Sequence, residues 1–145
     1  ICDVVRSYAS GFIFTTAMPP AIASAAKASI QYLKESNKER LLQQKNTILL
    51  KKYLSKENIF YLDNKSHIVP VMVHDPIKCK EISNILLDEF GHYIQPINYP
   101  TVPVGTERLR ITPGPLHTEE MIVNLTNALK FAFIKANYTS NIKSA

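Results

Sequence analysis

The spacing of apolar residues changes along this chain, and the change restricts the folds open to it. Met18-Pro19-Pro20 opens a stretch in which Ile22, Ala25, Ala26, Ser29, Ile30 and Leu33 recur every three or four residues, the period of an amphipathic helix with a small-residue face. Ser36 and Glu39 have capping-box spacing, so the helix restarts there and runs through Leu41, Leu42, Ile48, Leu49 and Tyr53 to Leu54. Residues 20–54 therefore read as one long or one broken helix. From Asn58 the period becomes two. Residues 59–62 and 68–73 read as strands, and Pro70 moves the second towards a sheet edge or a bulge. Asp75-Pro76 then starts a helix that presents Ile77, Ile82, Ile85, Leu86 and Phe90, and Gly91 ends it. Residues 93–97 read as a short strand. Residues 108–112 alternate strictly, which puts Arg108, Arg110 and Thr112 on the face opposite Leu109 and Ile111. Thr118 caps a last helix with Glu119 and Glu120 in its first turn. Near the start, the aromatic and β-branched residues 12–15 read as a strand.

This order predicts an α+β fold, with a small, mainly antiparallel sheet covered by helices on one face and preceded by a long connector helix. The chain has 145 residues, 46% hydrophobic and 20% charged, which suits one globular domain with a core of its own. No apolar run approaches the ~20 residues that a membrane helix needs. The start has no basic segment ahead of an apolar one and begins with Ile1, so the chain is expected to be part of a longer protein. Cys2 and Cys79 are too few for a disulfide framework, and a reducing compartment is expected. The net charge of +5 is spread along helical stretches, as on a solvated face, and does not cluster with aromatics as on a nucleic-acid surface. His67, His74, His92 and His117 are far apart without a ligand motif, so no metal site is expected.

Two segments read as more than scaffold. The loop from Asn98 to Glu107 is stiffened by Pro100 and Pro103 yet hinged by Gly105, as a lid would be; a stiff connection accounts for the same pattern. Beside it, an arginine projecting from residues 108–112 is suited to grip a carboxylate with its two-pronged fork, although on chemistry alone a surface ion pair with a glutamate such as Glu107 is the leading account.

Longer words narrow the choice. Residues 6–20 (RSYASGFIFTTAMPP), residues 66–71 (SHIVPV), residues 97–103 (INYPTVP), residues 108–113 (RLRITP) and His117-Thr118 closely resemble, in order and spacing, the C-terminal region of 5-aminolevulinate synthases, members of the α-oxoamine synthase family. The resemblance implies a fold-type-I pyridoxal-phosphate enzyme that condenses glycine with succinyl-CoA to 5-aminolevulinate, CoA and CO2, at the start of haem biosynthesis. It further implies a homodimer with active sites at the subunit interface, and no nucleic-acid or membrane partner. Arg110 would bind the glycine carboxylate, Thr101 the succinyl carboxylate, and Thr15 and Thr16 the cofactor phosphate of the partner subunit. Residues 1–19 would end the large cofactor domain, 20–54 connect it, 55–137 form the small C-terminal domain, and 138–145 fray. The catalytic lysine would lie upstream of Ile1, so no catalytic residue is expected here, and the chain alone is expected to be inactive and not to hold pyridoxal phosphate. The implied compartment is the mitochondrial matrix in a eukaryote and the cytoplasm in a bacterium. Val104 stands where the family usually has arginine, and Gly114 where threonine or serine is common. The alternatives are a sister synthase using another acyl-CoA and a non-catalytic carboxylate-binding module.

Overall fold

The alternation along residues 108–112 becomes the centre of a sheet. In the computed structural model, which describes residues 1–138, β1 (Val69–Met72), β2 (Gln95–Ile97) and β3 (Arg108–Ile111) pair antiparallel in the order β1-β3-β2. Val69 pairs with Ile111 and Val71 with Leu109 on one side of β3, and Pro96 pairs with Leu109 on the other. Leu109 and Ile111 enter the core with Val69 and Val71. Around them pack Leu50 and Leu54 of α4 (Lys38–Lys56), Ile82 and Leu86 of α5 (Pro76–Phe90), and Leu129 and Phe133 of α6 (Glu119–Lys135). The α+β architecture expected from the sequence is thus what forms.

Helix ends follow their local chemistry. The Asp75 carboxylate accepts the Ile77 and Lys78 N–H groups at 2.8 and 2.9 Å, and Gly91 closes α5 in the left-handed region at φ +69°. Thr118 Oγ1 accepts the Met121 N–H at the start of α6. Pro70 is tolerated because of which way it faces. Its carbonyl accepts the Leu62 N–H at 2.9 Å from outside the sheet. The N–H and C=O of one strand residue point to the same side, so the donor that proline lacks is not owed to β3.

Two sequence expectations need correction. Residues 59–62 do not form a strand of their own. They contribute a single bridge, Tyr61 to Val71, flanked by bonds from Leu62 to Pro70 and from Met72 to Phe60. Residues 12–15 are not a strand either. Ser10–Ile13 is a helical turn, α2, in which Phe12 and Ile13 donate to the Ala9 carbonyl and Phe14 to that of Ser10. An extended segment needs a neighbouring strand to take its backbone groups, and among the described residues none pairs with 12–15; local helical bonds satisfy them instead.

The chain divides into two units, Ile1–Asn37 and Lys38–Ala145. The first contains α1 (Cys2–Tyr8), α2 and α3 (Pro20–Glu35), and none of these helices buries a residue. The second holds the sheet and the core. Tyr138, assigned to the tail by sequence, is half-buried, its ring edge-on to Phe133 at 5.2 Å; residues 139–145 lie outside the described residues.

Replacing fully buried Leu129 by alanine is expected to cost ~2–5 kcal/mol, through lost transfer energy and the cavity left behind. Ile134→Ala, five residues further along α6 and 69% exposed, is expected to stay within ~0.5 kcal/mol. Urea denaturation of both variants checks the contrast, and equal losses would mean that α6 packs on a different face.

Candidate functional site

The non-core face of β3 carries two arginines whose surroundings differ. Arg108 is half-buried, and its Nε donates to the Thr106 carbonyl at 2.8 Å, so it ties the strand to the end of the preceding loop. Arg110, flanked in the sheet by Pro70 and Gln95, is exposed, and its guanidinium has no hydrogen bond or ion pair among the described residues. Glu107, the partner a surface ion pair would have used, is fully buried and turned to the backbone of Gly105. The ion-pair reading of this strand is therefore overturned, and Arg110 is left as a cation free to take a ligand.

Arg110 lines a pocket of ≈ 850 Å³ in the second unit. Gln95, Thr112, Tyr93 and His117 provide further polar walls, and Leu50, Ile111, Ile122 and Leu125 the apolar ones. Such a mixture, mostly apolar with a few convergent donors, is typical of small-molecule sites. Tyr93 and Gln95 satisfy one another, the phenol donating to Oε1 at 2.6 Å.

The segment 113–117, whose Pro113 and His117 line the pocket, is fixed from a distance. Asn46, a largely buried residue of α4, donates through Nδ2 to the carbonyls of Gly114 and His117 at 2.9 and 2.8 Å. The Gly114 N–H in turn donates to His117 Nδ1 at 2.9 Å. An imidazole that accepts at Nδ1 carries its proton on Nε2, and His117 lines the same pocket as Arg110. Sequence reasoning set His117 aside for lack of a metal spacing and did not single out Asn46. Nothing in their separation of 71 residues could have joined them.

The other expected site residues are placed as follows. Thr101 is exposed in the loop between β2 and β3 and does not line the pocket; its N–H closes a turn on the Asn98 carbonyl at 2.9 Å, next to a cis Tyr99–Pro100 bond. Val104 projects from the same loop, 77% exposed. Thr15 and Thr16 belong to the first unit, between α2 and α3. Both are exposed, and among the described residues the Thr15 hydroxyl makes one long bond, 3.3 Å to the Thr16 carbonyl. Among the described residues no group of acidic, histidine and cysteine side chains is arranged to hold a metal.

Residues 1–129 match the family model described as aminotransferase class I and II. The chain belongs to this family. Within it, the chain is 57% identical over 129 residues to the 5-aminolevulinate synthase of Rhizobium meliloti (strain 1021), and 53% identical over 133 residues to that of Rickettsia prowazekii (strain Madrid E). Those alignments cover 89% and 92% of this chain but 32% of each relative, so the chain spans about a third of their length. Among solved structures, it resembles serine palmitoyltransferase from S. paucimobilis with a bound PLP–myriocin aldimine, with TM-score 0.85 and 26% identity over 93% of this chain and 34% of that one. The fold is also similar to that of 8-amino-7-oxononanoate synthase from Francisella tularensis, with TM-score 0.76 and 20% identity over 95% of this chain and 40% of that one. The aminotransferase-family fold thus accounts for the small sheet and its helical cover.

Asn46→Leu should leave two carbonyls of the pocket wall without their donor, at ~1–3 kcal/mol. Gly114→Ser should be tolerated. An added Cβ meets only His117 Cε1 at 3.9 Å, an ordinary contact, and the lost chain freedom favours the folded state by a few tenths to ~1 kcal/mol. Thermal melts of the two variants should therefore move in opposite directions. A destabilising Gly114→Ser would refute the open space at that position.

Proposed function

We propose that this chain is the C-terminal part of a 5-aminolevulinate synthase, a pyridoxal-phosphate enzyme that condenses glycine with succinyl-CoA to release 5-aminolevulinate, CoA and CO2 for haem biosynthesis. The observation that carries the reading is the unpaired guanidinium of Arg110 on the wall of an 850 Å³ pocket, in a chain 57% identical to a synthase of that name. In this reading residues 1–19 close the large cofactor domain and 55–137 form the small one.

Each residue has a chemical task that its setting suits. Arg110 projects from a central strand whose ladder fixes its backbone on both sides, and its fork can grip the glycine carboxylate through two parallel bonds. Thr101 rides on the loop, where its hydroxyl can read the distal carboxylate of the succinyl group. Thr15 and Thr16 offer little-used hydroxyls ahead of α3, whose first turn has no side-chain cap. Hydroxyls and free backbone donors at a helix start fit a phosphate, and in a homodimer they would serve the cofactor of the partner subunit. Pyridoxal phosphate, when bound, supplies the electron sink that makes the glycine α-carbon acidic. No lysine lines the pocket, and the tests below use the full-length protein.

Arg110→Leu should weaken glycine binding ten-fold or more, since charge-assisted bonds are worth ~1.5–3 kcal/mol each, while Arg108→Leu should do much less. Thr101→Val should narrow the preference for succinyl-CoA over butyryl-CoA, because a site that hydrogen-bonds a polar group rejects analogues without it. Glycine titration and acyl-donor kinetics check both. Equal damage from the two arginine variants, or an unchanged acyl preference, would count against these roles and favour a sister synthase or a simple carboxylate-binding module.

The interface role is tested by mixing lesions. A Thr15→Ala/Thr16→Ala chain co-expressed with an Arg110→Leu chain yields mixed dimers in which one site receives wild-type residues at every named position. With random two-fold pairing, activity should recover to roughly a quarter of wild type. Activity no higher than that of the two inactive homodimers would place the threonines within their own subunit.

A further inference from the structure

Glu107 is fully buried, yet it is a carboxylate with an incomplete set of partners. Oε1 accepts the Gly105 N–H at 3.1 Å, and Oε2 has no partner among the described residues. A buried acid so poorly satisfied is costly and calls for a reason. Its backbone is more firmly placed: its carbonyl accepts both the Val73 and the His74 N–H groups at 2.9 Å. His74 returns the connection, with its Nδ1 2.7 Å from the Gly105 carbonyl. A carbonyl only accepts, so the proton lies on Nδ1.

The Gly105 residue is therefore gripped on both sides, its N–H by Glu107 and its C=O by His74. The two backbone conformations involved are uncommon ones. Gly105 has φ +82°, which glycine adopts freely, and His74 has φ +59°, which few side chains adopt. At the opposite end of the loop, Asn98 Nδ2 donates to the Pro76 carbonyl at 3.1 Å, while its buried Oδ1 is also without a partner. Residues 99–104 are suspended between these two anchors.

We infer that Glu107 and His74 form a clamp on Gly105 that positions the 99–104 loop, and that they are positioning residues for whatever that loop contacts. The placing of the clamp stands on the hydrogen bonds alone; its effect on the acyl donor rests on the proposed role of Thr101. The buried acid then has a use, because the one bond it accepts is spent on the hinge of a loop.

The test compares His74→Gly, Glu107→Leu and Glu107→Gln in the full-length protein. Hydrogen–deuterium exchange of peptides spanning 99–106 is followed beside peptides from α6. Loss of one hydrogen bond should speed loop exchange roughly five-fold or more in His74→Gly and Glu107→Leu, with α6 unchanged. Glutamine still accepts through Oε1, so Glu107→Gln should keep the loop near its wild-type rate. The KM for succinyl-CoA should rise in the first two variants while that for glycine holds. Wild-type loop exchange in both of them, or acceleration in α6 to match the loop, would overturn the clamp. If Glu107→Leu does not fold, His74→Gly decides alone, because the His74 ring is exposed, glycine accepts a positive φ, and it has no side chain to donate to Gly105. Faster loop exchange with an unchanged succinyl-CoA KM would uphold the clamp and reject the Thr101 role.

Discussion

Strand β3 has two incompatible faces, and the rest of the C-terminal unit is organised by keeping them apart. Leu109 and Ile111 are enclosed by β1 and three helices, while Arg110, between them in sequence, stands in the pocket wall. A slip of one residue against β1 would reverse every side chain, burying an unpaired guanidinium and exposing two core residues. Ladder bonds on both sides and the packing of Val69 and Val71 hold the register against that slip. The free arginine and the closed core are therefore consequences of one alignment.

Polar side chains that leave water here do so to hold backbone. Asn46 sends both of its amide hydrogens to the wall of the pocket, Ser83 donates to the Ile94 carbonyl at 2.6 Å, and Glu107 receives Gly105. Asn46 and Ser83 each link a helix to a segment without regular structure, and Glu107 ties the residue ahead of β3 to its own loop. The buried Cys79 thiol belongs to the same neighbourhood. Burial pushes it up to about 11, with Glu107 and Asp75 adding to the rise, so it stays a neutral, space-filling group. Loops around a site need such ties, since without a ladder of their own they would otherwise exchange among conformations.

What could be read from the sequence was whatever is set by near neighbours in the chain. The Asp75 and Thr118 caps, the Gly91 stop and the alternation at 108–112 all rest on contacts within a few residues, and all formed as expected. Residues 12–15 and 59–62 have the composition of strands, but a strand is completed by a partner. Among the described residues the first segment has none, and the second has a single bridge, to Val71.

The sequence by itself thus determined the longer helices from Pro20 onward, the identity of the central strand and the face on which Arg110 would lie, because a period of 2.0 or 3.6 residues is a local property of the backbone. Only the tertiary structure decided that Arg108 is tied to Thr106 while Arg110 is free, that Glu107 turns inward to Gly105, and that Asn46 and His117 meet at the pocket. Those choices join groups up to 71 residues apart, or depend on which of two neighbouring polar groups finds its partner first in space, and no local period carries that information.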